Sequence, residues 1–218
     1  MRAAVLYKPM TKFVIEELDL KEPESNEVLV KLVSSGVCHS DWHVVKGEWD
    51  DVPLPAVLGH EGAGIVETIG PGVTSVNPGD HVILNWWPNC GVCEVCYKGW
   101  PSLCPRPLWL ENKLTSKSTG DVIDRFGGLG TFGTHTVVSE TAAVRIDKDV
   151  PFDQAALVGC AVTTGVGAVI NTAQVQSGST VTIQVNRRDI NIPTYNELGE
   201  QIRLHFMLRD ILRNTKMA

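Results

Sequence analysis

Four cysteines fall within fifteen residues, spaced Cys90-x2-Cys93-x2-Cys96-x7-Cys104. No other stretch restricts the folding of this chain as much. Four thiolates so close can wrap a tetrahedral zinc ion and leave it no open position, which forces the segment into a small closed lobe. Disulfides are the alternative reading of the six cysteines. The crowding of four of them favours metal thiolates in a reducing compartment. A redox C-x-x-C pair would need a βαβ pattern around it, and none surrounds these residues.

A second donor set is spread along the chain. Gly59-His60-Glu61 opens a G-H-E-x-x-G-x5-G stretch ending at Gly70. It offers a metal an imidazole and a carboxylate in one place, with glycines that let the backbone turn tightly there. Cys38 lies upstream in Gly36-Val37-Cys38-His39-Ser40-Asp41-Trp42-His43, and Cys160 downstream in Val158-Gly159-Cys160-Ala161-Val162-Thr163-Thr164-Gly165. Cys38, His60 and Cys160 make a Cys2His set, which leaves zinc a fourth position for water or substrate. An isolated cysteine or histidine is more often a buried thiol or a satisfied core imidazole. Three motifs pointing to one set argue for metal here.

Gly and Pro punctuate a series of short strands, the pattern of a partly open β-barrel. Strands are expected over 3–7, 13–20, 27–33, 64–69, 81–84, 134–138 and 143–146. A short helix is expected over 40–45, a helical turn or two over 153–158, and a helix of small apolar residues over 163–173. Residues 105–125, rich in Ser, Thr and Lys, read as loop. Gly127-Gly128-Leu129-Gly130 reads as a turn, since a strand and not a helix follows it. Residues 180–185 read as a further strand.

At the G-H-E stretch and the cysteine run the chain resembles the zinc-dependent medium-chain alcohol dehydrogenases, over roughly residues 1–185. The resemblance implies a mainly β fold with some α: a GroES-like, partly open β-barrel over 1–176 with a structural-zinc lobe as a surface excursion. It implies one catalytic and one structural zinc, and NAD(P) as hydride acceptor. By the same resemblance, Glu61 ligates the catalytic zinc transiently or sits just behind it. Ser40 and His43 match a proton relay, His39 a contact to the cofactor pyrophosphate, and Thr164 a position bordering the nicotinamide. Trp49 and Trp86 match the substrate pocket, where two indoles favour small primary alcohols or aldehydes; ordinary core packing is the alternative. Trp42 and Trp87 cluster with the same motifs. Asp41 is expected to orient His60 by accepting its other ring N–H, the alternative being a carboxylate at a helix N-terminus. For His43 the alternative is a plain surface histidine. His81, His135 and His205 have no partner motif and read as structural.

The family pattern breaks after Val185. A G-x-G-x-x-G turn should follow the 177–185 segment, which reads as the remnant first strand of a dinucleotide-binding domain. Asn186-Arg187-Arg188-Asp189 stands there instead, and only Gly199 follows Gly178. Formal charge changes from −8 over residues 1–185 to +2 over 186–218. Thr194-x-x-Glu197 is a capping box ahead of an amphipathic helical pattern reaching about Asn214. No family resemblance is recognised in residues 186–218, and truncation with an unrelated end, a frameshift, a splice product and a fusion are the open alternatives.

The expected function is therefore the catalytic domain of a zinc-dependent alcohol dehydrogenase, weak or inactive as this chain alone. The alternative is a non-catalytic zinc-binding or interaction module, self-associating through the face that meets a cofactor domain in the family. A net charge of −6 speaks against nucleic-acid binding. No apolar run is long enough to span a bilayer. The first nine residues lack the long apolar core of a secretory leader, so a cytoplasmic setting is expected.

Overall fold

The computed structural model describes residues 1–111 and 113–179. The expected strand at 180–185, the tail helix and His205 lie outside the described residues. Residues Met1–Gln174 form one compact unit, and the description concerns that unit.

The chain opens with β1 (Arg2–Leu6) and β2 (Val14–Leu20), an antiparallel pair. β3 (Glu27–Gly36) leads to helix α1 (His39–Lys46). β4 (Ala56–Val57), β5 (Glu61–Ile69) and β6 (His81–Leu84) follow. The cysteine lobe holds α2 (Glu94–Tyr97) and a 3-10 turn (Pro101–Leu103). Next come β7 (Leu114–Ser116), β8 (Val122–Arg125), β9 (His135–Ser139) and β10 (Ala143–Ile146). α3 (Phe152–Ala155) and a 3-10 turn (Ala156–Gly159) precede α4 (Ala161–Gly167), which runs on as wider turns to Thr172. Among the described residues no single helix is long and apolar enough to cross a membrane; the bent pair 152–159 and 161–172 has the composition but breaks by 54°.

Two sheets build the barrel architecture. One closes on itself in the order β1-β2-β7-β8-β4, and the other is open, β10-β6-β5-β3-β9. Alternation in each strand sends apolar side chains to one face. Val5, Leu18, Val57, Leu114 and Ile123 meet inside the closed ring. Val28 and Val30 of β3 pack with Val66, Val82, Leu84 and Val138 under the open sheet. Arg125 at the end of β8 joins the two. Its Nη1 donates to Thr136 Oγ1 at 3.1 Å and to the Val137 carbonyl at 2.5 Å on β9, and its Nη2 to the Leu110 carbonyl at 2.5 Å. Burial lowers this guanidinium to about 10. Lys113, equally buried, donates to Glu27 Oε2 at 2.8 Å.

Three local expectations change. The 105–125 loop contains β7 and β8. Each is too short to show alternation, and besides pairing with each other they pair with β2 and β4, which lie far away in sequence. Ser116 donates to Glu16 Oε2 at 3.0 Å, so a polar residue here serves the sheet rather than a loop. The last helix begins at Ala161, immediately after Cys160. In the G-H-E stretch only Gly59 turns, with φ of 89°. Gly62 and Gly64 lie within β5 because the neighbouring strand comes too close for a side chain: a Cβ on Gly64 would sit 2.1 Å from the Lys31 carbonyl oxygen.

Gly64→Ala is expected to destabilise the fold by about 1–3 kcal/mol, because the β3–β5 ladder must spread. Gly79→Ala, where a Cβ meets nothing within 4 Å but φ is +88°, should cost only about 1 kcal/mol of backbone strain. Urea unfolding of both variants checks the order. Equal losses would show that close approach on β5 is not the constraint.

Candidate metal centre

β3 and β5 run antiparallel with Gly36 opposite Glu61. Cys38 follows the end of one strand and His60 precedes the start of the other, so the pairing sets them side by side. Cys160 reaches the same place from the helical segment after α3. Ligand atoms of Cys38, His60, Glu61 and Cys160 all lie within 4.8 Å of one another. Gly36 makes room for Glu61: a Cβ there would sit 2.1 Å from Glu61 Oε2.

Asp41, buried on the first turn of α1, anchors both sides of the cluster. Its Oδ2 accepts from the Cys38 backbone N–H and its Oδ1 from the Gly59 N–H, each at 2.9 Å. The same Oδ1 faces His60 Nδ1 at 3.6 Å. That nitrogen is buried without a hydrogen-bond partner. With Nδ1 turned to Asp41, Nε2 is the ring atom left for a metal. Two sulfurs, one imidazole and a carboxylate suit zinc by their chemistry, and their spacing admits an ion between them.

The electrostatics are those of a site waiting to trade protons for a cation. A hydrogen bond from Cys160, against burial and with help from His60 and Ser40, lowers the Cys38 thiol to about 3. The same contact, then burial, pushes the Cys160 thiol up. Burial by itself would lower His60, but Asp41 and Cys38 overcome it and raise the imidazole to about 9. Glu61 is pushed up by burial and by the Cys38 charge, partly offset by His60.

A cavity of about 850 Å3 opens over this cluster, with Ser40, His60 and Cys160 in its lining. Trp49, Trp86, Trp109 and Phe126 form its aromatic wall. Of these, Trp109 and Phe126 escaped the sequence reading, since neither sits in a motif. Trp49 and Trp86 both line the space. Ser40 Oγ lies 3.6 Å from Cys38 Sγ. His43 is one turn further along α1, its ring stacked on Trp49 at 5.4 Å between centroids. Its Nδ1 pairs with Glu48 Oε2 at 2.5 Å. Glu48 was also missed; an acid five residues beyond a histidine carries no pattern of its own. His39 meets His43 edge-on at 4.6 Å, and Thr164 is exposed on α4. The Thr164 backbone N–H donates to the Cys160 carbonyl at 2.9 Å.

The lobe gathers Cys90, Cys93, Cys96 and Cys104 within the same 4.8 Å. Cys93 Sγ lies 3.4 Å from Cys96 Sγ and 3.9 Å from Cys104 Sγ. A tetrahedral zinc with Zn–S near 2.3 Å requires sulfurs about 3.8 Å apart, so these residues fit the ion. Hydrogen bonding from the Val92 backbone leads in lowering Cys90 to about 6. Trp87 donates from its ring to the Cys104 carbonyl at 3.1 Å and packs edge-on against Trp86. The lobe thus touches the cavity wall through one indole. His81 packs on Phe152, and His135 faces Glu67 at 3.3 Å, both away from the cluster. Trp42 is half-buried, and its Nε1 lacks a partner.

The family model for the alcohol dehydrogenase GroES-like domain matches residues 24–148. S-(hydroxymethyl)glutathione dehydrogenase of Photobacterium damsela subsp. piscicida is 42% identical over 189 residues, 84% of this chain and 51% of that protein. The enzyme of the same name from Escherichia coli O1:K1 / APEC is 40% identical over the same coverage. The chain therefore spans about half the length of the curated relatives it matches. Among solved structures, an alcohol dehydrogenase zinc-binding domain protein from Burkholderia ambifaria superposes with a TM-score of 0.75 at 35% identity. Benzyl alcohol dehydrogenase from Acinetobacter calcoaceticus gives 0.71 at 38%. Each comparison covers 82% of this chain and 50% of the other.

The lowered Cys38 and raised His60 and Cys160 lead to the expectation that a metal meets one thiolate, one imidazolium and one thiol near neutral pH. Metal loading must displace the protons of His60 and Cys160, so affinity rises with pH. The logarithm of the apparent affinity should climb by about two units per pH unit between about pH 6 and about pH 8.5. Cobalt titration separates this site from the all-sulfur lobe by its absorption. A slope near three would show Cys38 protonated, and a slope near one would show His60 neutral.

Proposed function

The chain belongs to the alcohol dehydrogenase GroES-like domain family, and from that premise we propose that it holds the zinc and the substrate for oxidation of a primary alcohol to an aldehyde, with NAD(P)+ taking the hydride. The observation that carries this reading is the convergence of Cys38, His60 and Cys160 on the lining of a roomy aromatic cavity, with Ser40 beside them.

Zinc held by Cys38, His60 and Cys160 would supply the Lewis acidity that makes an alcohol hydroxyl acidic, and a nicotinamide would supply the hydride acceptor. The chain's own residues do the rest. Asp41 holds the Cys38 and Gly59 backbone and sets its carboxylate opposite His60 Nδ1, so the donors need little reorganisation. Glu61 stands among them as a fourth donor. Ser40 Oγ is placed to receive the hydroxyl proton inside the cavity. His43, one turn away at the half-exposed edge of α1, is placed to pass it to water. With Nδ1 donating to the Glu48 carboxylate, its Nε2 is the atom open to a proton. Trp49, Trp86, Trp109 and Phe126 offer their rings to the apolar part of the substrate. The cavity accommodates primary alcohols up to aromatic size. His39 and Thr164 keep their cofactor-side roles on resemblance alone. Thiolate donors persist in a reducing setting, which supports a cytoplasmic location.

One observation favours the second reading, an interaction module. Val166, Val169 and Ile170 are exposed along the helical segment after Cys160, an apolar strip suited to association. Sedimentation over a concentration series tests it, and a monomer throughout removes it.

Loaded with cobalt, the protein is expected to hold about two ions per chain, one in each cluster. A primary alcohol should shift the bands of the Cys38–His60–Cys160 site, and Cys160→Ala should abolish that shift while the lobe spectrum stays. An unchanged spectrum in saturating alcohol would refute substrate binding at this metal. Turnover by this chain alone with NAD(P)+ is expected below about 1 s⁻¹, the lower end for ordinary enzymes. An NADH titration followed by nicotinamide fluorescence on the same sample reads the cofactor half.

A further inference from the structure

The solvent-exposed charged side chains of the cavity lining are all of one sign. Asp51, Glu111 and Asp124 all line the space and are exposed to solvent. They come from three separate segments: the loop before β4, the stretch before β7, and β8 itself. Arg125 is the lone Lys or Arg in the same lining, and its guanidinium is spent elsewhere. It is 7% exposed and donates to Thr136, Val137 and Leu110. With His60 given to a metal as neutral imidazole, the described residues of the lining offer three carboxylates and no Lys or Arg free to meet a ligand. The aromatic wall adds to this bias, because indole and phenyl faces attract cations. The cation of a loaded metal site does not reverse it: two thiolates and the Glu61 carboxylate already stand around that position.

We infer that the cavity selects primary alcohols whose far end is cationic, accepts neutral ones, and rejects those whose far end is a carboxylate or phosphate. This rests on the alcohol-site reading and adds the charge class of the substrate to it. A hydroxyl directed to the Cys38–His60–Cys160 cluster leaves the opposite end of a benzylic substrate to the solvent-exposed part of the lining, to which the three carboxylates belong. Attraction or repulsion there works across solvent, so it is modest and falls with ionic strength.

Three para-substituted benzyl alcohols, bearing aminomethyl, methyl or carboxylate, separate the possibilities. Binding to the zinc-loaded full chain is read by quenching of tryptophan fluorescence, since Trp49, Trp86 and Trp109 line the cavity. The aminomethyl probe should bind about tenfold or more tighter than the carboxylate at low ionic strength, with the methyl probe between. The ratio should shrink several-fold in about 0.5 M salt. In Asp51→Asn/Glu111→Gln/Asp124→Asn it should approach one. These side chains are exposed, and the salt series on the unaltered protein gives an independent reading should the variant fold poorly. If the methyl probe binds but the carboxylate matches or beats the aminomethyl probe, the charge selection is overturned and the alcohol site stands. If none of the three binds, the alcohol-site reading falls and takes the charge selection with it.

Discussion

The antiparallel pairing of β3 with β5, in the register that sets Gly36 opposite Glu61, is the constraint on which the site depends. A slip of one residue would turn the alternating side chains of β5 to the other face. It would carry Glu61 out of the cluster and break the alignment of Cys38 with His60. Two glycines guard the register sterically. Gly64 lets the Lys31 carbonyl approach, and Gly36 leaves space for the Glu61 carboxylate. Asp41 then ties the loops beyond the two strands by accepting one backbone N–H from each. The donors are held before any metal arrives, so little of the binding energy is lost to ordering them.

The lobe depends on different physics. It has little apolar core: Val92, Tyr97, Trp100 and Leu103 are exposed, and four sulfurs are what the segment has to fold around. A metal there does the work that burial does elsewhere. Trp87 conveys its geometry to the cavity, bonded to Cys104 on one side and packed on Trp86 on the other. Trp109 closes the group by donating to the Trp86 carbonyl at 2.8 Å. A lobe that looks remote in sequence therefore shares a wall with the cavity.

Much of this was legible in the residues. Cys38, His60, Glu61 and Cys160 sit in stretches whose spacing and chemistry announce metal, and the structure brings all four together. The strands at β1 to β3, β5, β6, β9 and β10 are long or alternating enough to show themselves. β7 and β8 were not legible, because strands of three and four residues are too short to show a pattern, and their places in the closed ring come from distant β2 and β4 as well as from each other. Glu48, Trp109 and Phe126 were missed for a related reason. They act through where the fold places them, and none lies in a motif.

The sequence alone determined which atoms are available: six sulfurs, the His60 imidazole and the carboxylates beside it, with glycines where a strand must come close. It could do so because donor chemistry and backbone freedom belong to the individual residue. Only the tertiary structure decided which of them meet. Cys160 reaches Cys38 across more than a hundred residues of chain. The Arg125 guanidinium is engaged by three acceptors on other segments, while Asp51, Glu111 and Asp124 line the cavity exposed. Convergence and the sign of a cavity wall are properties of distances between segments, and those distances exist only once two sheets have closed around their cores.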